Sequence, residues 1–69
     1  MSTAKVIEVI SEGKSLEQAI ENAVKQAAET LHSIKSVWIE NITALVDNGK
    51  VTKYRINAKL TFVLDSKKG

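Results

Sequence analysis

Apolar and polar residues change their period twice along this chain. Lys5-Val6-Ile7-Glu8-Val9-Ile10 is a β-branched run that predicts a strand, and Ser11-Glu12-Gly13-Lys14 behind it has the composition of a turn. Ser15-Leu16-Glu17-Gln18 has the form of a capping box, a hydroxyl at the N-cap with a glutamine three residues on, so a helix is expected from Leu16. Leu16, Ala19, Ile20, Ala23, Val24, Ala27 and Leu31 keep the 3.6-residue period, with Glu17, Glu21, Lys25 and Glu29 on the opposite side, and the helix is expected to run to His32. Glu21 and Lys25 add a favourable four-apart pair. After Ser33 the period falls to two. Ser36 to Val46 and Val51 to Leu64 read as strands joined through Asp47-Asn48-Gly49-Lys50, in which Asn-Gly is the strongest short hairpin signal. The predicted fold is α+β, in the order β-α-β-β, with one helix packed on a three-stranded antiparallel sheet.

A two-residue Asn48-Gly49 loop sets a register in which the numbers of every opposed pair total 97. Val37, Ile39 and Leu45 then share the helix face with Leu60, Ala58, Ile56 and Tyr54. Trp38, Glu40, Ile42, Ala44 and Val46 share the other face with Lys59, Asn57, Arg55, Lys53 and Val51. Asn41 and Thr43 fall on the helix side, where they are expected to lie beyond the end of the helix. A helix from Leu16 to His32 spans roughly 25 Å and the third strand roughly 46 Å, so one helix cannot cover the sheet. Apolar residues among charges on the uncovered face suit contact with further copies of the chain.

Composition narrows the function. The chain has 69 residues, 43% of them hydrophobic and 26% charged, with no cysteine or proline. That describes one domain over residues 1–69, with an ordered core at about 4–65 and a short polar C-terminal tail. A core this small is marginal without staples, which makes self-association an early expectation. With no cysteine and His32 the only histidine, a thiolate or multi-histidine metal centre is not expected. A formal charge of +2, evenly scattered, is too weak a footprint for nucleic acid. Neither a signal peptide nor a membrane span is legible, which points to a cytoplasmic protein.

From Lys5 to Asp65 the chain resembles the dodecin family. The resemblance is carried by Lys5-Val6-Ile7-Glu8-Val9, Ser15-Leu16-Glu17-Gln18-Ala19-Ile20 with Ala23-Val24, Thr30-Leu31, Asp47-Asn48-Gly49-Lys50-Val51 leading to Tyr54, and Thr61-Phe62-Val63-Leu64-Asp65. It implies a hollow homododecamer that binds a flavin (FMN, FAD or riboflavin) between two-fold-related subunits and stores or sequesters it, without being an enzyme. In flavin-binding members a tryptophan at the start of strand two stacks on the isoalloxazine, and a glutamine after the strand-three tyrosine bonds its polar edge. Those positions are here Ser36 and Arg55, with Trp38 two residues after Ser36 on the same strand face. The chain therefore resembles a branch of the family with Trp38 and Arg55 in place of the usual pair. Ser36, Trp38 and Arg55 are the candidate cofactor-binding residues.

Glutamine both donates and accepts, whereas arginine only donates, so Arg55 suits a ring carbonyl or a phosphate and cannot accept the N–H of a neutral oxidised ring. The register places Trp38 opposite Lys59 and Arg55 opposite Ile42. The two are then roughly 13 Å apart in one chain, and converge on one ligand only across a subunit boundary. The plainer accounts are a Trp38 buried between subunits and an Arg55 paired with Glu40 of another copy. The basic row Lys50, Lys53, Arg55, Lys59 reads as a solvated strand face, Tyr54 as core and His32 as a residue at the helix end. Glu8 with Glu40 is a weak candidate for acid–base chemistry, and Asp47 with Asp65 for calcium, which the family resemblance brings in. The second functional reading is a shell of the same fold that does not bind flavin, or binds another ligand.

Overall fold

The computed structural model describes residues 2–65, in the order β1 (Ser2–Gly13), α1 (Leu16–Ala28), β2 (Ile34–Asp47) and β3 (Lys50–Asp65). The expected polar tail after Asp65 lies outside the described residues. Helix α1 starts where the sequence places it: Ser15 has extended backbone and its Oγ accepts from the Gln18 N–H at 3.1 Å. It stops at Ala28, short of His32. The amides of Thr30 and Leu31 both donate to the Ala27 carbonyl, and Ser33 turns left-handed at φ 61°. That reversal brings Leu31 back onto the core and sets Ile34 opposite Phe62, which a helix continued to His32 would prevent. His32 is consequently an exposed linker residue.

The strand order is β1-β3-β2, all antiparallel. The hairpin partners β2 and β3 are neighbours, and β1 adds to the far side of β3, which becomes the central strand. Ser11 to Gly13, which read as a turn, are the last residues of β1, paired with Ile56, Arg55 and Tyr54. Their polar composition reflects an edge strand with one solvated face. Alternate residues of β3, Ile56, Ala58, Leu60 and Phe62, are buried, and the first three form one cluster with Ala19, Ala23 and Ala27 of α1. Three alanines at four-residue spacing let the helix backbone approach the sheet closely, and Ile7, Val9, Ile20, Val37 and Ile39 close the margins of this core.

The hairpin loop matches expectation. Asn48 and Gly49 both have positive φ, at 57° and 76°, the geometry of a type I′ turn, and Asp47 opposes Lys50. A Cβ on Gly49 would meet nothing within 4 Å, so Gly49→Ala costs only its backbone penalty, about 1–2 kcal/mol. The expected reading is a lower urea midpoint with an unchanged slope.

Beyond the loop the register departs from a constant total. Irregularities fall between Leu45 and Val46, between Ile39 and Asn41, and between Ile34 and Ser36. The pairing expected for Val37, Trp38 and Ile39 holds, whereas Asn41 to Leu45 shift by one, opposing Asn57, Ile56, Arg55, Tyr54 and Lys53. Because a one-residue shift exchanges faces, this segment is inverted from the expected arrangement. Ile42, Ala44 and Val46 lie on the helix side, Leu45 lies on the opposite side, and Arg55 faces Thr43 in place of Ile42. The bulge at Glu40 also turns Asn41 and Thr43 out of the helix face, so a polar pair never has to be accommodated there.

The sheet outruns the helix, as the lengths require. Thirteen helical residues cover about 20 Å, while the molecule extends 55 Å along its longest axis. Its radius of gyration is 14.5 Å, against about 11 Å for a compact chain of this length. Ile42, Val46 and Val51 stand on the overhang, 51 to 64% exposed.

Candidate functional site

The sheet face away from α1 carries all three candidate residues. Opposed residues share a face, so each rung crosses β2, β3 and β1 in turn. Ser36, Thr61 and Val6 form one rung, then Trp38, Lys59 and Glu8, then Asn41, Asn57 and Ile10, then Thr43, Arg55 and Glu12. Trp38 is 68% exposed, and Val6 and Ile10 are more than half exposed. Trp38 is therefore presented on an open platform, with none of the described residues covering it.

Within one chain the candidates do not meet. The rungs of Trp38 and Arg55 are four β3 residues apart, about 13 Å, and Ser36 lies a further two residues away. The expected separation of Trp38 from Arg55 thus holds even though the residue opposite Arg55 is Thr43.

Three cations of the basic row on β3, Lys53, Arg55 and Lys59, have carboxylate partners in their own chain. Lys59 Nζ lies 3.7 Å from Glu8 and 3.8 Å from Glu40, the bulge residue of β2. Arg55 is held by Glu12: its Nε donates to Oε2 at 3.1 Å, and Nη2 lies 3.0 Å from the same oxygen. Lys53 Nζ approaches the other oxygen, Oε1, at 3.5 Å. Arg55 therefore has an ion-pair partner, Glu12, within its own chain. The Arg55 hydrogen bond holds the Glu12 carboxyl below its ordinary range against the opposing effect of desolvation, with the Lys53 and Arg55 charges acting in the same direction as the bond, so it is ionised near neutral pH. Glu8 and Glu40 both belong to the ion pairs of Lys59 and border one pocket of about 230 Å³.

Glu12 is the site residue that sequence reasoning missed. Glu8 and Glu12 are spaced four apart, as are Lys59 and Arg55, and an antiparallel β1–β3 pairing sets the two spacings opposite one another. The signal was present but needed the strand order to be read. The backbone at this point is tied from behind: Asn22 Nδ2 of α1 donates to the Glu12 carbonyl at 2.9 Å, and Gly13 sits against the backbone of Ala19. A concavity of about 730 Å³ lies here between β1 and α1, lined by Ser11, Glu12, Asn22 and Lys25 among others. It contains none of Ser36, Trp38 and Arg55, and no aromatic side chain lines it.

Among the described residues no three His, Asp or Glu side chains cluster as metal ligands. Asp47 sits at the hairpin turn, and the side chain of Asp65 lies outside the described residues. No described helix is long and apolar enough to cross a membrane.

Residues 3–65 match the family description of Dodecin. Among solved structures the chain is similar to dodecin from Streptomyces coelicolor, 27% identical with a TM-score of 0.86, covering 96% of this chain and 96% of that one. It is also similar to dodecin from Streptomyces davaonensis, at 23% identity and a TM-score of 0.86 over 94% of this chain and 97% of that one. A mutant of the T. thermophilus dodecin gives a TM-score of 0.88 at 22% identity, covering 96% of this chain and all of that one. No curated protein matches the chain.

Proposed function

The chain belongs to the dodecin family, and from that premise we propose that it is a non-enzymatic, cytoplasmic flavin-storage protein, a hollow homododecamer that stacks FMN, FAD or riboflavin on Trp38. Members of the family are homo-oligomers that bind flavins or related ligands. The observation that carries the reading for this chain is the exposure of Trp38, at 68%, on the one sheet face that no helix covers. A flat indole on an open sheet is a stacking surface waiting for a second wall, and an assembly of copies supplies that wall. Arg55, on the same face but about 13 Å away, donates to the ring's polar edge from a neighbouring subunit. Ser36 leaves room beside the tryptophan, since its small side chain cannot compete for the stack. A ring held this way is kept from adventitious photochemistry.

The test is a titration of riboflavin and FMN with the purified oligomer, followed by flavin fluorescence. Saturable quenching at about one flavin per chain is expected. Trp38→Ala is expected to weaken binding about tenfold or more, since stacking on an aromatic contributes about 1–3 kcal/mol, while size-exclusion chromatography shows an intact oligomer. No quenching at high micromolar protein would leave a dodecin-fold shell without flavin. Collapse of the oligomer in Trp38→Ala would make the tryptophan an interface residue.

A further inference from the structure

We propose that Glu12 is itself a ligand-binding residue: its carboxylate and the Arg55 guanidinium form a composite acceptor–donor edge that recognises the imide of the bound ring. The proposal rests on the flavin reading above and deepens it. The pyrimidine end of an oxidised flavin presents carbonyl, N–H, carbonyl in sequence, and full recognition needs an acceptor for the N3–H flanked by a donor. Arg55 alone supplies only donors.

The geometry supplies the rest. Nε and Nη2 of Arg55 converge on one oxygen of Glu12, Oε2. This leaves Oε1 with the Lys53 ammonium at 3.5 Å as its single polar neighbour among the described residues, beyond good hydrogen-bond length. It also leaves Nη1 of Arg55 without a partner among them. An acceptor and a donor thus stand side by side on the open face, joined by a charge-assisted pair that fixes their relative placement. Both side chains are about 40% exposed, accessible to a ligand but packed enough to be held. The Asn22 bond to the Glu12 carbonyl and the seating of Gly13 on α1 anchor the backbone that carries the acceptor. Ionised Glu12 has no proton to donate, so the edge reads the N–H of a neutral ring and disfavours any ring that is deprotonated there.

The experiment compares riboflavin with 3-methylriboflavin, which lacks the N3–H, on the assembled wild-type protein and on Glu12→Ala. Wild type is expected to bind the methylated ring about tenfold or more weakly, the scale of losing a hydrogen bond to a charged acceptor. Glu12→Ala is expected to bind both rings within about twofold of each other. Glu12→Val, which suits an edge strand, serves the same purpose should the alanine variant fail to assemble. Equal discrimination in wild type and variant, or none in wild type that binds riboflavin, overturns the role of Glu12 and leaves the storage reading standing. Absence of riboflavin binding to wild type overturns both.

Discussion

Leu60→Ala is expected to remove about 2–5 kcal/mol of stability, the range for truncating a buried leucine to alanine in a core that cannot collapse around the void. Leu60 is fully buried on the central strand, in one cluster with the alanines of α1, and is flanked by Val37 of β2 and Ile7 of β1. Little is free to fill the space: the buried residues of the helix are alanines, and both flanking strands are pinned by their pairing. A chain this size has about 3–10 kcal/mol in total, so the substitution is expected to bring it to the edge of unfolding. Urea denaturation at several protein concentrations measures it. A midpoint that falls steeply on dilution would show that subunit association, by mass action, is holding the variant together. A midpoint within error of wild type would mean that the core relaxes more than its geometry suggests.

Gly13→Ala is expected to be the more damaging of two small changes that look alike in sequence. Its Cβ would stand 2.5 Å from the Ala19 nitrogen, 2.9 Å from the Gln18 carbonyl carbon and 3.0 Å from the Ala19 Cα. All three atoms are backbone, so relief requires α1 or the end of β1 to move. Overpacking of this kind costs about 1–3 kcal/mol and at times more. Gly49→Ala costs a backbone conformation and meets no atom, whereas Gly13→Ala displaces a helix. The neighbouring Glu12 should register the displacement. Besides a lowered denaturation midpoint, Gly13→Ala is expected to narrow the gap between riboflavin and 3-methylriboflavin, because a shifted β1 end misplaces the Glu12 carboxylate. A variant that loses stability yet keeps full discrimination would show that the strand end stays in place while the helix yields.

The candidate site was legible in part for identifiable reasons. Trp38 and Ser36 were placed on the outer face because the register near them is that of an unbroken hairpin. Arg55 was placed on the correct face but opposite the wrong residue, since a bulge between Leu45 and Val46 slips the strand by one before Arg55 is reached. Its partner was sought in another subunit because Glu12 had been read as turn. Polar composition at an edge strand and in a turn is the same signal, and only the pairing of Glu12 with Arg55 separates them.

The amino-acid sequence by itself determined the element order, the start of α1 at Ser15, the I′ turn at Asn48-Gly49 and the alanine stripe that faces the sheet. Each depends on residues within about a turn of one another, where capping, left-handed backbone and helical period act locally. Tertiary structure alone decided that β3 is central, that the bulges at Glu40 and between Leu45 and Val46 exchange the faces of the distal hairpin, and that Glu12 meets Arg55 across 43 positions of chain. These depend on how the strands fit together. A bulge forms where an inverted face buries better or a polar pair escapes the helix, and a cross-strand ion pair exists only once the strand order has chosen its neighbours.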